Sequence, residues 1–202
     1  MLDGVLRPLV DPISRAAAKM LHRSGLEANH VTLLAFALGL LSAISIVLGY
    51  MVTGLVFIVL SRLADGIDGA VARLTRSTDF GGYLDIVLDF AFYGLIPLAF
   101  ILQDPQQNGL AGGLLLFSFY VNGASFLAYA ALAAKRGLDG EVRGKKSIVF
   151  TTGLAEATET YAAFAAACLF PAWFPMIAYV FAAICVYTAL ARIIQASATF
   201  KD

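Results

Sequence analysis

Long apolar runs separated by short polar connections dominate the chain, a pattern typical of a polytopic membrane protein. Six runs are long enough to cross a bilayer, which takes about 20 predominantly apolar residues per helix. They lie at residues 30–50, 52–74, 82–102, 110–134, 148–170 and 174–197. The sequence therefore predicts an all-α polytopic membrane protein of six transmembrane helices, joined by tight connections such as Thr53-Gly54 and Asp104 to Gly109.

The residues before the first run have a different pattern. Over 11–24, apolar positions form one face of a helix, and the basic residues recur every four positions on the other: Arg15, Lys19 and Arg23. This periodicity is typical of an amphipathic helix on the membrane surface, although a solvated charged face has the same spacing. We expect a single domain over 1–202, with an interfacial helix within 1–26 and a six-helix membrane bundle over 27–202.

Composition supports the membrane assignment and excludes other classes. The chain is 60% apolar and 14% charged, with a mean hydropathy of +0.81. Soluble domains are about 45–50% apolar and about 25% charged, and the strands of a membrane β-barrel alternate between polar and apolar positions. The 14 basic and 14 acidic residues cancel, so no bulk charge favours nucleic acid as a partner.

The distribution of basic residues predicts an orientation in the membrane. If the N-terminus is cytoplasmic, all 14 lysines and arginines fall on cytoplasmic ends and loops, and the three opposite connections contain none. An excess of Lys and Arg marks the cytoplasmic side of a membrane protein. We therefore expect both termini to be cytoplasmic.

Two pairs of acidic residues lie inside the second and third runs. Asp65 and Asp68 are spaced i,i+3, and Asp85 and Asp89 are spaced i,i+4, so each pair shares one helix face. The connection between these helices is short, which makes them antiparallel neighbours. A carboxylate in a membrane helix costs about 2.5–3.5 kcal/mol at the helix centre and normally indicates a function. The four carboxylates are therefore expected to converge near the cytoplasmic boundary.

Four carboxylates in one apolar pocket repel one another unless cations neutralise them. Oxygen-only ligands favour Mg²⁺ or Mn²⁺ over zinc, and two such ions can act as a clamp in phosphoryl chemistry. The alternative is a set of structural salt bridges with Arg62 and Arg73, but two arginines cannot neutralise four carboxylates. We therefore expect a site for two divalent cations.

The same residues form a longer pattern of fixed spacing. The pattern Asp65-x2-Asp68-Gly69-x2-Ala72-Arg73, followed by Gly81-x3-Asp85-x3-Asp89, resembles the signature of the CDP-alcohol phosphotransferase family in all eight fixed residues. The resemblance implies transfer of a phosphatidyl group from a CDP-linked lipid, such as CDP-diacylglycerol, to an acceptor alcohol, with release of CMP. It also implies a homodimer in the bacterial inner membrane, among membrane phospholipids, with its active site facing the cytoplasm.

The resemblance also implies a role for each residue of the motif. Asp65, Asp68 and Asp85 would be the principal metal ligands, and Asp89 would complete the metal site and act as general base. Asn29-x2-Thr32 resembles the family's usual opening of the first span. The residues implied to bind the CDP-linked lipid are Asn29, Thr32, Gly69, Ala72, Arg73 and Gly81.

Two further features are candidates for binding the acceptor. The first is a set of basic residues near the predicted cytoplasmic boundary: Lys135, Arg143, Lys145, Lys146 and Arg192. They suit a phosphorylated acceptor such as glycerol 3-phosphate or an inositol phosphate, although cytoplasmic topology alone also explains them.

The second feature is an acidic pair, Glu156 and Glu159, about two turns into the fifth apolar run. The pair suits an amino alcohol such as serine or ethanolamine, or it orients a polyol. The structural alternative is a pairing with Arg192 or with a buried lysine from the loop 135–147. We favour the phosphorylated acceptor, since the basic residues adjoin the predicted diphosphate site.

Two other functions use acidic residues within a membrane. A cation-coupled transporter would use them as ion sites, but no inverted repeat is visible and the acids cluster at one membrane face. An intramembrane prenyltransferase also binds a lipid diphosphate with aspartates, but it does not need the glycine and Ala-Arg spacing. Release of CMP from a CDP-linked lipid would separate the transferase from both.

Overall fold

The computed structural model describes residues 27–74, 78–138 and 154–201, which are entirely helical apart from turns. The six α-helices in these ranges are α1 (Ala28–Val47), α2 (Met51–Leu74), α3 (Asp79–Gln103), α4 (Pro105–Lys135), α5 (Ala157–Leu169) and α6 (Phe174–Thr199). A 3-10 turn, Pro171–Trp173, precedes α6. The predicted interfacial helix, and the candidate acceptor residues Arg143, Lys145 and Lys146, lie outside the described residues.

Four segments are long and apolar enough to cross a membrane: Ala28–Val47, Asp79–Gln103, Pro105–Lys135 and Pro171–Thr199. Helix α2 has 24 residues but is not one of these four segments, because its second half contains several charged residues, among them Arg62, Asp65 and Asp68. The prediction of an all-α membrane protein is confirmed for the described residues. The six-span topology and the side on which the termini lie stay predictions.

The connection between α1 and α2 is a tight turn at Gly49, not at Thr53-Gly54 as the sequence pattern predicts. Gly49 has a φ of +83°, a conformation that glycine adopts without a Cβ penalty. The N–H of Tyr50 then donates to the carbonyl of Ser45 at 2.8 Å, which satisfies the end of α1. Thr53 and Gly54 lie inside α2, so the predicted position of this connection is wrong.

The connection between α3 and α4 is also shorter than predicted. Asp104 is its single residue, and its side chain accepts a hydrogen bond from the N–H of Gln107 at 3.0 Å. Pro105 occupies the first position of α4, where its missing N–H costs nothing. The predicted loop from Asp104 to Gly109 is wrong because this cap starts the helix at once.

Helix α5 begins at Ala157, later than the apolar run predicts. The backbone N–H groups of Leu154 and Ala155 donate to the hydroxyl of Thr188 on α6, each at 3.2 Å. This contact holds the chain in a bend before the helix, and Glu156 is the N-cap. The prediction that Glu156 and Glu159 lie two turns inside the helix is wrong, because they stand at its start.

Helix α3 lies at the centre of the bundle. Helix α1 packs on α2 and α3, α4 packs on α3 and α6, and α5 packs on α2 and α6. Phe92, Ile96 and Phe100 of α3 are fully buried, and Phe100 stacks on Phe174 with 4.5 Å between ring centroids. This packing fixes the face of α3 that also carries Asp85 and Asp89.

A close approach between α1 and α3 depends on Gly39. A Cβ at this position would lie 2.7 Å from Cδ2 of Phe92, a ring that is fully buried. Any larger residue therefore has to move an aromatic side chain that is packed on every side.

We expect Gly39→Ala to lower the stability of the protein by about 1–3 kcal/mol, because overpacking outweighs the helix-propensity gain of about 1 kcal/mol. Thermal unfolding in detergent measures the change. Gly113→Ala in α4 is the matched control, since nothing lies within 4 Å of a Cβ there. Equal stability of the two variants would show that Phe92 does not constrain Gly39.

Candidate active site

Three of the four predicted carboxylates converge. Asp65 and Asp68 on α2 and Asp85 on α3 each offer an oxygen, and these oxygens lie within 4.8 Å of one another. Asp68 is only 6% exposed. A compact set of carboxylate oxygens fits a divalent cation such as Mg²⁺ or Mn²⁺. The prediction that the i,i+3 pair of one helix meets the next helix is confirmed.

Thr32 of α1 orients one of these carboxylates. Its hydroxyl donates a hydrogen bond of 2.6 Å to Oδ2 of Asp68, and its oxygen lies 3.1 Å from the carbonyl of Ala28. A hydroxyl has one proton, so the shorter contact to Asp68 takes it. Thr32 is therefore a partner of the acidic cluster as well as a wall of the adjoining cleft.

A cleft of about 250 Å³ opens beside the carboxylates. Its walls come from the first turns of α1, the last turns of α2 and the first turns of α3, with these lining residues: Ala28, Asn29, Thr32, Asp68, Gly69, Ala72, Thr78, Gly81, Gly82 and Asp85. Five of the six residues that the resemblance implies for the CDP-linked lipid are among them. The sixth, Arg73, is in the last turn of α2, and its side chain lies outside the described structure.

A tight fit against neighbouring side chains explains the glycine at position 81 of the cleft wall. A Cβ there would lie 3.0 Å from Oδ1 of Asn29 and 3.1 Å from Oγ1 of Thr78. Thr78 caps α3 by accepting a hydrogen bond from the N–H of Gly81 at 3.0 Å. The N-terminus of α3 thus faces the cleft, and helix N-termini favour phosphate groups.

The fourth carboxylate, Asp89, has a different neighbour. Nη1 of Arg62 lies 2.6 Å from Oδ1 of Asp89 and 3.5 Å from Oδ1 of Asp65. The structural salt bridge considered as an alternative thus exists for Arg62, but it accounts for only part of the acidic cluster. Asp89 lies one helical turn beyond Asp85 and faces this arginine.

Arg62 is enclosed by groups that sequence reasoning missed. The guanidinium lies 3.9 Å from the ring centroid of Phe92 and 5.6 Å from that of Tyr161, which comes from α5. Tyr161 shares a hydrogen bond of 3.1 Å with the hydroxyl of Tyr93. The one local signal for these residues was that Phe92 follows Asp89 at i,i+3 spacing, on the same face of α3.

The candidate acceptor residues occupy two other places. Nη1 of Arg192 donates to the carbonyl and side-chain oxygens of Asn122 and to the hydroxyl of Ser125, at 2.7–3.1 Å. Glu156 and Glu159 lie at the start of α5. Lys135 is the last residue of α4. The structure therefore places Arg192 at the α4–α6 interface and the glutamates at a helix N-terminus.

Comparison with protein families gives one match over most of the chain. The family model for CDP-alcohol phosphatidyltransferases matches residues 26–194. The chain is 46% identical over 202 residues to inner membrane protein YnjF of Escherichia coli K12, covering 100% of this chain and 98% of that protein. It is 34% identical over 112 residues to archaetidylinositol phosphate synthase of Methanothermobacter thermautotrophicus, covering 55% and 53%.

Solved structures with the same fold include phosphatidylinositol phosphate synthase (PgsA1) of Mycobacterium tuberculosis. Its structure with CDP-DAG bound has a TM-score of 0.72 and 21% identity, covering 91% of this chain and 92% of that one. Its complex with manganese and citrate has a TM-score of 0.63 and 20% identity, covering 90% and 88%. At these identities the similarity shows a shared fold.

We expect Thr32→Val to weaken Mn²⁺ binding about 10- to 100-fold, because it removes the hydrogen bond that orients Asp68 while keeping the volume of the side chain. Isothermal titration of the detergent-solubilised protein with Mn²⁺ measures the change. Thr32→Ser keeps the hydroxyl and serves as the control. If Thr32→Val binds Mn²⁺ as tightly as Thr32→Ser does, the hydrogen bond does not support the metal site.

Proposed function

The chain belongs to the CDP-alcohol phosphatidyltransferase family, and we propose that it transfers a phosphatidyl group from a CDP-linked lipid to an acceptor alcohol, releasing CMP. Membership in this family makes the protein a transferase of phosphorus-containing groups. The observation that carries the specific proposal is the cleft beside the acidic cluster, which brings together Asn29, Thr32, Gly69, Ala72 and Gly81.

Asp65, Asp68 and Asp85 are the residues that would hold the divalent cation. Their carboxylate oxygens fit Mg²⁺ or Mn²⁺ in chemistry and spacing, and the solved complex of PgsA1 contains manganese. Cations at this position would offset the negative charge of the diphosphate and of the departing CMP. The second ion, and a direct contact between Asp89 and a metal, stay predictions.

The residues of the chain divide the remaining work. Gly69, Ala72 and Gly81 leave room for the CDP group, and the N-terminus of α3 and Arg73 would bind its phosphates. Asp89 would accept the proton of the acceptor hydroxyl while the oxygen of that hydroxyl bonds to phosphorus. The bond from phosphorus to the CMP oxygen would break at the same time, so that CMP leaves. Phosphoryl transfer depends mainly on such positioning and charge stabilisation.

The arrangement of helix ends supports a site facing the cytoplasm of a six-span protein. The cleft lies at the ends of α1, α2 and α3 that are remote from Gly49 and Asp104. The connections at the opposite end, Leu48–Tyr50, Asp104 and 170–173, contain no Lys or Arg. By the positive-inside rule, the cleft end is cytoplasmic, where CDP and CMP are soluble. Both termini are then cytoplasmic, and the similarity to an inner membrane protein of Escherichia coli supports the bacterial inner membrane as the location.

The acceptor is proposed to carry a phosphate. Phe90, next to Asp89, packs against Gly123, and the adjacent residue Asn122 binds Arg192. Arg192 therefore lies at the same level of the bundle as Asp89, where a guanidinium suits an anionic group. The names of two similar proteins, both inositol phosphate lipid synthases, agree with this choice. A homodimer remains the expected assembly.

Purified protein in detergent, given CDP-diacylglycerol, Mn²⁺ and a panel of alcohols, is expected to release CMP with one acceptor. Mass spectrometry of the lipid product identifies that acceptor. Asp68→Asn is expected to abolish CMP release, because it removes a buried ligand from the cation site. The variant should remain folded, since it also relieves repulsion within the acidic cluster. Turnover by Asp68→Asn close to that of the unmodified protein would contradict the metal assignment.

A phosphorylated acceptor leads to a second expectation. Arg192→Gln should raise the KM of that acceptor about 10- to 100-fold, because a charge-assisted hydrogen bond contributes about 1.5–3 kcal/mol. The KM of CDP-diacylglycerol should stay unchanged. Lys145→Ala with Lys146→Ala should act in the same direction, whereas Glu156→Gln should have a mild effect. Steady-state kinetics in which Glu156→Gln or Glu159→Gln is the damaging change would instead identify an amino-alcohol acceptor.

A further inference from the structure

Arg192 of α6 is tied to α4 through one nitrogen of its guanidinium. Nη1 lies 3.0 Å from the carbonyl oxygen of Asn122, 3.1 Å from the amide oxygen of Asn122 and 2.7 Å from the hydroxyl of Ser125. The Ser125 hydroxyl donates its own proton to the carbonyl of Asn122 at 2.7 Å, so its oxygen can accept from Arg192. Both protons of Nη1 are therefore used in contacts with α4.

The other edge of the guanidinium lacks such contacts. Among the residues that the structure describes, neither Nε nor Nη2 of Arg192 has a hydrogen-bond partner. The ring of Phe126, one turn beyond Asn122 on α4, lies 5.6 Å from Cζ of Arg192. An arginine binds a phosphate or carboxylate best through two parallel N–H groups. The edge formed by Nε and Nη2 has this geometry.

The groups that hold Arg192 are all neutral. In the described part of the chain, no carboxylate lies within ion-pair distance of Arg192, so it is not paired with Glu156 or Glu159. The arginine is partly buried at the α4–α6 interface. Removing a charge from water without a partner of opposite sign is unfavourable, and an anionic ligand would supply that partner.

The amide at position 122 matters because it is neutral. An aspartate has nearly the same shape as an asparagine, and a hydrogen bond to a carboxylate is about twice as strong as one to a neutral group. A residue that served only to join α4 to α6 would therefore work better as an aspartate. Such a carboxylate would cancel the charge of Arg192, whereas the amide of Asn122 fixes the guanidinium and leaves its charge in place.

We infer that Asn122 is a positioning residue of the acceptor site, which holds Nη1 of Arg192 and so leaves the Nε–Nη2 edge and the full positive charge for the phosphate of the acceptor. Asn122 precedes Gly123, where the backbone of α4 touches the ring of Phe90, next to Asp89. The inference rests on the proposed function for the identity of the reaction. The binding of an anion at Arg192 can be measured without any reaction.

The first test is thermal unfolding of the full-length protein in detergent with EDTA and increasing inorganic phosphate, at constant ionic strength set with chloride. A ligand that binds the folded state raises the unfolding temperature. Arg192→Gln and Asn122→Asp should need about 10- to 100-fold more phosphate than the unmodified protein for the same stabilisation. Equal stabilisation of the three forms, or none of the unmodified protein, would overturn the proposal.

The unfolding temperature without phosphate separates positioning from packing. Asn122→Asp should unfold at the same temperature as the unmodified protein or at a higher one, because the new carboxylate pairs with Arg192. Weaker phosphate binding in a variant that is no less stable is the expected combination. A folded Asn122→Asp that binds phosphate as tightly as the unmodified protein would show that Asn122 only joins the helices.

The second test is steady-state kinetics with the accepted phosphorylated alcohol. Asn122→Asp should raise the KM of that acceptor about 10- to 100-fold. The kcat at saturating acceptor and the KM of CDP-diacylglycerol should each change by less than about threefold, because the cleft and the acidic cluster are untouched. An unchanged acceptor KM would overturn the proposal.

A double-mutant cycle tests whether Asn122 acts through Arg192, and it serves also if Asn122→Asp does not fold. Asn122→Ala with Ser125→Ala removes two of the three oxygens that hold Nη1 and should raise the acceptor KM about tenfold. In the Arg192→Gln background the same change should cause no further rise, since the residue that it positions is already gone. Equal rises in both backgrounds would overturn the proposal.

Gln107→Glu is the matched control, because it also changes an amide to an acid on α4. Gln107 lies near the opposite end of the helix, where its Nε2 donates to the carbonyl of Ala172 at 3.2 Å. Phosphate stabilisation and acceptor KM should stay unchanged. A tenfold rise of the acceptor KM in Gln107→Glu would show that any negative charge on α4 has this effect, and would overturn the role of Asn122.

The two proposals fail in different ways. If the unmodified protein releases no CMP with any acceptor, but phosphate stabilisation depends on Arg192 and Asn122 as expected, the proposed function is wrong and the anion site stands. If CMP is released but Asn122→Asp changes neither phosphate stabilisation nor the acceptor KM, the role of Asn122 is wrong and the transferase stands.

Discussion

Carboxylates held together in an apolar bundle repel one another, and the surrounding helices supply the groups that offset this repulsion. Asp65, Asp68 and Asp85 lie close enough to share a cation, and each needs a neighbour that offsets or orients its charge. Thr32 binds Asp68, and Arg62 lies between Asp65 and Asp89. Helix α1 packs on both α2 and α3, and the carboxylates of α2 and α3 meet through their side chains.

Much of this site could be predicted from local spacing. A helix places residues three and four positions apart on one face, so the convergence of Asp65, Asp68 and Asp85 follows from their positions and a short connection. The pairing of Arg62 with Asp89 depends on how far α2 is shifted along α3, which no local pattern encodes. The start of α5 was missed for a similar reason, since Thr188 on α6, 33 residues beyond Ala155, holds the preceding backbone.

Within the ranges that the structure describes, the apolar runs matched the number of α-helices but not the positions of their ends. Gly49 ends α1 through a positive φ, and Asp104 starts α4 through a side-chain cap. Both are single-residue effects inside sequences that are otherwise compatible with helix, so hydropathy does not register them. The exact start of a helix matters at Glu156. As the N-cap of α5, this residue has different neighbours from those it would have two turns inside the helix.

The walls of the cleft come from one uninterrupted stretch of chain, from Ala28 to Asp85, folded as three consecutive helices. The candidate acceptor residues Arg192, Glu156 and Glu159 belong to the later helices. Under the proposed function, the residues that bind the nucleotide and those that select the alcohol are therefore encoded in separate parts of the gene. Substitutions in the later part would then change which head group is made while the earlier part continued to bind the same activated lipid. Such a division would let the scaffold acquire new lipid products through change in half of the bundle.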